Sequence, residues 1–167
     1  GRLHRKARGA VLSAPTALTA LTARRTLREN VPAMMNNNNL FAVLRAAFPA
    51  ELDRTAIETA DGEGAPLYYT WADIERATAM LANLLVSLDL PPGTRVAVQA
   101  EKSVEALLLY LAVLRAGCVY LPLNTAYQAA EIEYFIANAE PGVVVCASRN
   151  FGWVSQLAFK AGTRNVF

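Results

Sequence analysis

The sequence predicts an α/β domain: a parallel sheet with flanking helices. Three observations carry this. From Arg95 onward, short β-branched or apolar runs alternate with longer segments of helical period, ending in a strand-like Val166–Phe167. Such alternation implies parallel strands joined by right-handed crossovers. The run Val143-Val144-Val145-Cys146 is continuously apolar, as in strands covered on both faces. Finally, 167 residues with 54% hydrophobic and 18% charged side chains suit one ordinary core and exclude a disordered chain.

Residues 1–35 stand apart. They hold seven Arg and Lys against one acid, Glu29, whereas residues 36–167 hold nine against thirteen. The expected organisation is therefore a disordered basic leader over 1–35 and a domain over 36–167. An Arg-rich, acid-poor stretch also suits a transit peptide. As a secretory signal its centre is weakly apolar and is followed by Arg24–Arg25. The preferred reading is a start at Met34 or Met35, with the leader as upstream sequence. The mildly acidic remainder repels phosphate backbones, so no nucleic-acid partner is expected. The longest apolar run, Ala106 to Leu114, is about half of the ~20 residues that a membrane span needs. No membrane partner is expected, and a cytoplasmic location is.

An asparagine of the run Asn36–Asn39 can cap the first helix, which carries Leu40, Phe41, Val43, Leu44 and Phe48 at helical spacing and ends at Pro49. Ala56–Thr59 and Leu67–Tyr69 read as strands of a hairpin around the turn signal Asp61-Gly62-Glu63-Gly64. Thr70 opens a long helix with Asp73 three residues on, a weaker capping box. Ile74, Ala77, Leu81, Leu84, Leu85 and Leu88 form its apolar stripe, and Pro91-Pro92-Gly93 stops it.

Arg95–Gln99 is a strand. Ser103 caps a helix from Val104 to Ala116 that is apolar almost all round, as expected of a helix between layers, and Gly117 ends it. Cys118–Leu121 is the next strand. Glu131, Ile132, Tyr134, Phe135 and Ile136 mark a helix, Pro141–Gly142 turns into the Val143–Cys146 strand, and Val154, Leu157 and Ala158 mark a last helix.

Ligands of such sheets sit beyond the carboxyl ends of the strands, here near Gln99–Lys102, Leu123–Thr125 and Ala147–Arg149. Neither GxGxxG nor GxxxxGK[ST] occurs. The only histidine, His4, lies in the leader, so the domain has no Ser-His or Cys-His pair for nucleophilic catalysis. Cys118 and Cys146 lack metal-site spacing and read as small buried hydrophobes of a reducing compartment. Glu101-Lys102-Ser103 opens a helix, where an anion could bind, but the preferred reading is a solvated loop with a cap. The pairs Asp73/Glu75, Glu101/Glu105 and Glu131/Glu133 read as helix faces. Tyr120 and Tyr127 read as core or pocket lining. Arg149, just past a strand end, could meet an anionic ligand.

The stretch Gly93-TRVAVQAEKSVEALLLYLAVLRAGCVYLPLNTAY-Gln128, followed by AEIEYFIANAEPGVVVCA, resembles the N-terminal region of the acyl-CoA synthetases of the adenylate-forming superfamily. The apolar helix, R-A-G, strand and P-L-N carry that likeness. The Q-x-E-K-S start and N-T-A-Y end are similar to the bacterial malonyl-CoA synthetases. The resemblance covers about Leu40 to Phe167 and implies part of the large N-terminal domain of that fold. It also implies the family's chemistry: ATP and magnesium activate a carboxylic acid as its adenylate, here malonate or methylmalonate, and the thiol of coenzyme A displaces AMP. The family's phosphate loop, adenine motif, magnesium-binding glutamate and catalytic lysine have no counterpart in the sequence, so the chain alone is expected not to form an adenylate, and no catalytic residue or metal ligand is assigned. By position, the resemblance assigns Asn124, Thr125 and Arg149 to the coenzyme A side. Alternatives are a ligase or peptide-synthetase adenylation domain for another acid, and a non-catalytic α/β module binding a nucleotide or protein.

Overall fold

The computed structural model describes residues 38–167. The basic leader, with His4, Met34 and Met35, lies outside the described residues. Helix α1 (Leu40–Ala46) starts at Asn39, whose side chain accepts from the Phe41 and Ala42 amides. Its Nδ2 also donates to the Leu114 carbonyl at 2.7 Å, joining this cap to a later helix end. Strands β1 (Thr55–Ala60) and β2 (Pro66–Thr70) pair antiparallel as the expected hairpin. Asp61 Oδ1 closes the turn by accepting from the Glu63 and Ala65 amides, while Gly64 takes the positive φ of +87° that a side chain would oppose.

Helix α2 (Trp71–Ser87) carries a complete capping box: Thr70 Oγ1 accepts from the Asp73 amide, and the Asp73 carboxylate accepts from the Thr70 amide. The amides of Trp71 and Ala72, which have no partner within the helix, donate to the carbonyls of Arg54 and Leu52. The buried stripe is Ile74, Thr78, Ala82 and Leu85. Leu84 departs from expectation and is 45% exposed. The stripe follows the small residues Thr78 and Ala82, which let the helix Val104–Arg115 approach. The Thr78 hydroxyl meets its need by donating to the Ile74 carbonyl.

The second sheet holds β3 (Arg95–Gln99), β4 (Val119–Pro122), β5 (Val143–Cys146) and β6 (Asn165–Val166) in the order β4-β3-β5-β6, all parallel. Helices α3 (Val104–Arg115), α4 (Ala129–Ala139) and α5 (Phe151–Lys160) connect them, α5 being preceded by a 3-10 turn at Ser148–Asn150. Val96, Val98 and Val143 pack with Leu85 and Val113 on one face. Ala97, Val144 and Cys146 pack with Ile132, Ile136, Val154 and Ala158 on the other. Helices thus cover both faces, which is why the strands read as unbroken apolar runs. Fully burying each Ile or Val contributes about 1.5–3 kcal/mol. Cys146 is buried, Cys118 half-buried, and both are free thiols that burial pushes up in pKa.

Helix α3 packs against α1, α2 and β4, as its all-round apolar sequence implies, but Leu107 remains 43% exposed. Gly117, at φ +73°, closes it: its amide donates to the Leu114 carbonyl, and the Cys118 amide donates to that of Val113. Among the described residues, no helix is long and apolar enough to cross a membrane.

Two features yield predictions. A Cβ at Gly142, just before β5, would collide with Thr94 Cγ2 and press Leu90 Cδ2 at 3.3 Å. Gly142→Ala is expected to cost about 1–3 kcal/mol in a denaturant melt. Thr94→Ser removes the obstructing methyl and keeps the hydroxyl bond to the Pro91 carbonyl, so it should recover most of that loss. The Thr70 hydroxyl and amide hold the Asp73 carboxyl below its ordinary 3.8. A depressed carboxyl stabilises fully above its unfolded value and loses that contribution as pH falls through the folded one. The melting-temperature gap between the unsubstituted chain and Asp73→Ala should therefore be open at pH 7 and close below pH 3.8.

Candidate functional site

Strand order decides where a ligand can enter. In the order β4-β3-β5-β6 the chain leaves β3 toward β4 and leaves β5 toward β6 on the opposite side, so the connections after these two neighbouring strands diverge beyond the carboxyl ends. A cleft of about 700 Å³ lies at the carboxyl ends of β3 and β4, lined by Ala100, Glu101, Lys102, Tyr120, Asn124 and Thr125 among others. Tyr120 packs edge-on against Tyr110 at 5.1 Å while facing the cleft. Tyr127 instead stacks on Phe135 and joins the core.

Asn124 and Thr125 follow β4 in a tight turn. The Ala126 amide donates to Asn124 Oδ1 at 2.9 Å, and the Tyr127 amide to the Asn124 carbonyl at 3.1 Å. With Oδ1 engaged in the turn, the side-chain amide of Asn124 and the hydroxyl of Thr125 are the polar groups this turn offers to the cleft. Arg149 stands in the 3-10 turn after β5 and does not line the cleft itself. Its Nη2 donates to Glu101 Oε1 at 2.6 Å, and Glu101 forms the cleft rim. The three strand-end positions are thus neighbours in the fold, with Glu101 between the two groups.

The other acids of the pairs singled out in the sequence are engaged elsewhere. Asp73 caps α2. Glu75 is half-buried rather than an exposed face, and joins Arg45 of α1 to Arg115 of α3. Glu131 accepts from the Gln128 amide at the start of α4, and Glu133 meets Lys160. The Ser103 hydroxyl caps α3 by accepting from the Ala106 amide. Its neighbour Glu105 is held below the ordinary carboxylate range by its own backbone N–H and by Ser103. A carboxylate therefore already occupies the start of α3, and the Glu101-Lys102-Ser103 segment is a capped, solvated loop. Among the described residues no group of three or more His, Cys, Asp or Glu is gathered to hold a metal ion.

Gln99 was legible as a strand-end residue and motif position, but not as a bridge between turns. It is 1% exposed at the end of β3. Its Nε2 donates to the Asn124 and Tyr127 carbonyls at 3.2 Å each, and its Oε1 accepts from Asn150 Nδ2 at 3.4 Å. The signal available beforehand was a polar side chain closing the buried run Val96-Ala97-Val98.

Residues 44–164 match the family model described as AMP-binding enzyme. The structure is similar to that of ATP-bound MatB from Rhodopseudomonas palustris, with TM-score 0.69 and 45% identity over 77% of this chain and 24% of that one. In sequence, the chain is 31% identical to the Humulus lupulus protein named "Probable CoA ligase CCL9" over 80% of this chain and 25% of that protein. It is also 32% identical to phosphinothricin tripeptide synthetase PhsB of Streptomyces viridochromogenes over 72% of this chain and 10% of the synthetase. The chain spans a quarter or less of the length of each of these relatives. Its parallel sheet and flanking helices form part of the adenylate-forming acyl-CoA synthetase fold, and with the family model matching most of its length, the chain belongs to the AMP-binding enzyme family.

Proposed function

We propose that this chain forms the N-terminal part of the large domain of an ATP-dependent acid–coenzyme A ligase, most specifically one that acts on malonate or methylmalonate. In that reaction the acid's carboxylate attacks the α-phosphorus of ATP, and pyrophosphate leaves. The thiol of coenzyme A then attacks the acyl carbon of the adenylate, and AMP leaves. The observation that carries the narrower reading is the Gln99-Ala100-Glu101-Lys102-Ser103 and Asn124-Thr125-Ala126-Tyr127 pair of motifs, whose Ala100, Glu101, Lys102, Asn124 and Thr125 line one cleft, together with 45% identity to MatB. Magnesium accompanies ATP, neutralising its phosphate charge. By the position of its strand-end loops, the role assigned to this chain is toward coenzyme A. Dependence on ATP and coenzyme A suits a cytoplasmic enzyme.

In this reading Asn124 and Thr125 offer polar groups from the β4 turn, and Arg149 meets a phosphate of coenzyme A. The Arg149–Glu101 pair is exposed on both sides, with 65% and 59% of the two side chains accessible. Exposed ion pairs contribute only about 0–1 kcal/mol, so a phosphate can take over the guanidinium in a forked, charge-assisted geometry at little cost. Likeness to a tripeptide synthetase favours one second reading, an adenylation domain whose acceptor is a carrier-bound thiol rather than free coenzyme A.

The whole protein carrying this chain, given ATP, magnesium, coenzyme A and malonate, should release AMP and pyrophosphate and form malonyl-CoA. Mass spectrometry of the thioester checks this. Adenylate formation without transfer to free coenzyme A would instead establish the second reading. Arg149→Ala should raise KM for coenzyme A by about tenfold, the effect of losing one charge-assisted contact, with a smaller change in KM for ATP. An unaltered KM for coenzyme A would remove Arg149 from the site.

A further inference from the structure

A buried amide is costly unless its hydrogen bonds are satisfied. Leu or Met would fill the space of Gln99 without that cost, so what the amide adds is direction. Its two donors go to the Asn124 and Tyr127 carbonyls, which bracket the turn after β4. Its acceptor takes Asn150, in the turn after β5. The Gln99 carbonyl is engaged as well, accepting from the Ala147 amide at 3.2 Å. β3 lies between β4 and β5, so no other strand end touches both turns.

We propose that Gln99 is a positioning residue that couples the two turns: the one carrying Asn124 and Thr125 and the one carrying Arg149 and Asn150. Displacing either turn rotates or frees the amide and loosens the other. Groups on the two turns are thereby held in one mutual arrangement before a ligand arrives, and the ordering cost of binding falls accordingly. The ligand named here, coenzyme A, rests on the function proposed above. The coupling itself does not.

Hydrogen–deuterium exchange on the full chain tests it. Asn150→Ala removes one contact from a half-buried turn and leaves Gln99 in place. It should speed exchange at the Ala126 and Tyr127 amides, on the opposite turn, by about fivefold, the factor that one net hydrogen bond allows. The Val119 amide, bonded to Thr94 at the other end of the sheet, should be unchanged. Gln99→Leu should loosen both turns together. If it does not fold, Asn150→Ala decides alone. Change confined to residues 148–150, or equal acceleration at Val119, would overturn the coupling. In the whole protein, Asn150→Ala should raise KM for coenzyme A but not for ATP, a split that a merely structural role would not produce. If exchange shows the coupling while Arg149→Ala leaves KM for coenzyme A unaltered, the coenzyme A reading fails and the coupling stands.

Discussion

From Val96 to Gln99 strand β3 is buried on both faces, and the arrangement of the domain follows from that constraint. Val96 and Val98 point to the layer of α2 and α3, and Ala97 points to the layer of α4 and α5. Because successive side chains alternate between faces, the next residue, Gln99, must also enter the α4–α5 side. There it is buried at the point where the sheet ends and the loops begin. Its amide can be satisfied only by those loops, so the end of the central strand and the walls of the crevice are one hydrogen-bonded unit.

Charged groups do a related task at the periphery. Glu75 of α2 faces Arg45 of α1 and Arg115 of α3. Arg115 also donates to the Glu75 carbonyl and the Thr78 hydroxyl, and its guanidinium lies 4.9 Å from the Phe41 ring centre. The three helices are thus tied through one carboxylate and two guanidinium groups. Desolvating such groups offsets much of their attraction, so the benefit is the defined orientation of α1 on α3 more than net stability. The Glu101–Arg149 pair differs because it is exposed and borders the cleft, where a competing anion can reach it.

The local elements were legible because each carries its own punctuation. Asn39, Thr70 with Asp73, Ser103 and Gly117 are caps whose partners lie within a few residues, so sequence spacing suffices to find them. Strands β3 and β5 match the apolar runs residue for residue. Leu84 was misplaced because stripe reasoning counts large apolar residues, while the packed face of α2 is set by Thr78 and Ala82. At the site, Asn124, Thr125 and Arg149 were reachable as strand-end positions. Gln99 was reachable in the same way, but its bridging role was not, because every partner of its side chain lies at least 25 residues away.

The sequence by itself determined the alternation of strands and helices, their caps and the parallel sense of the sheet, since periodicity and turn chemistry are local properties. Its quoted motifs also reached the AMP-binding enzyme family. Only the tertiary structure decided the order β4-β3-β5-β6, and with it which loops share a crevice. It likewise decided that Arg149 meets Glu101 and that one buried amide spans two turns. Strand order and long-range polar pairing arise from how both helix layers close over the sheet together, and no single segment of the chain encodes that.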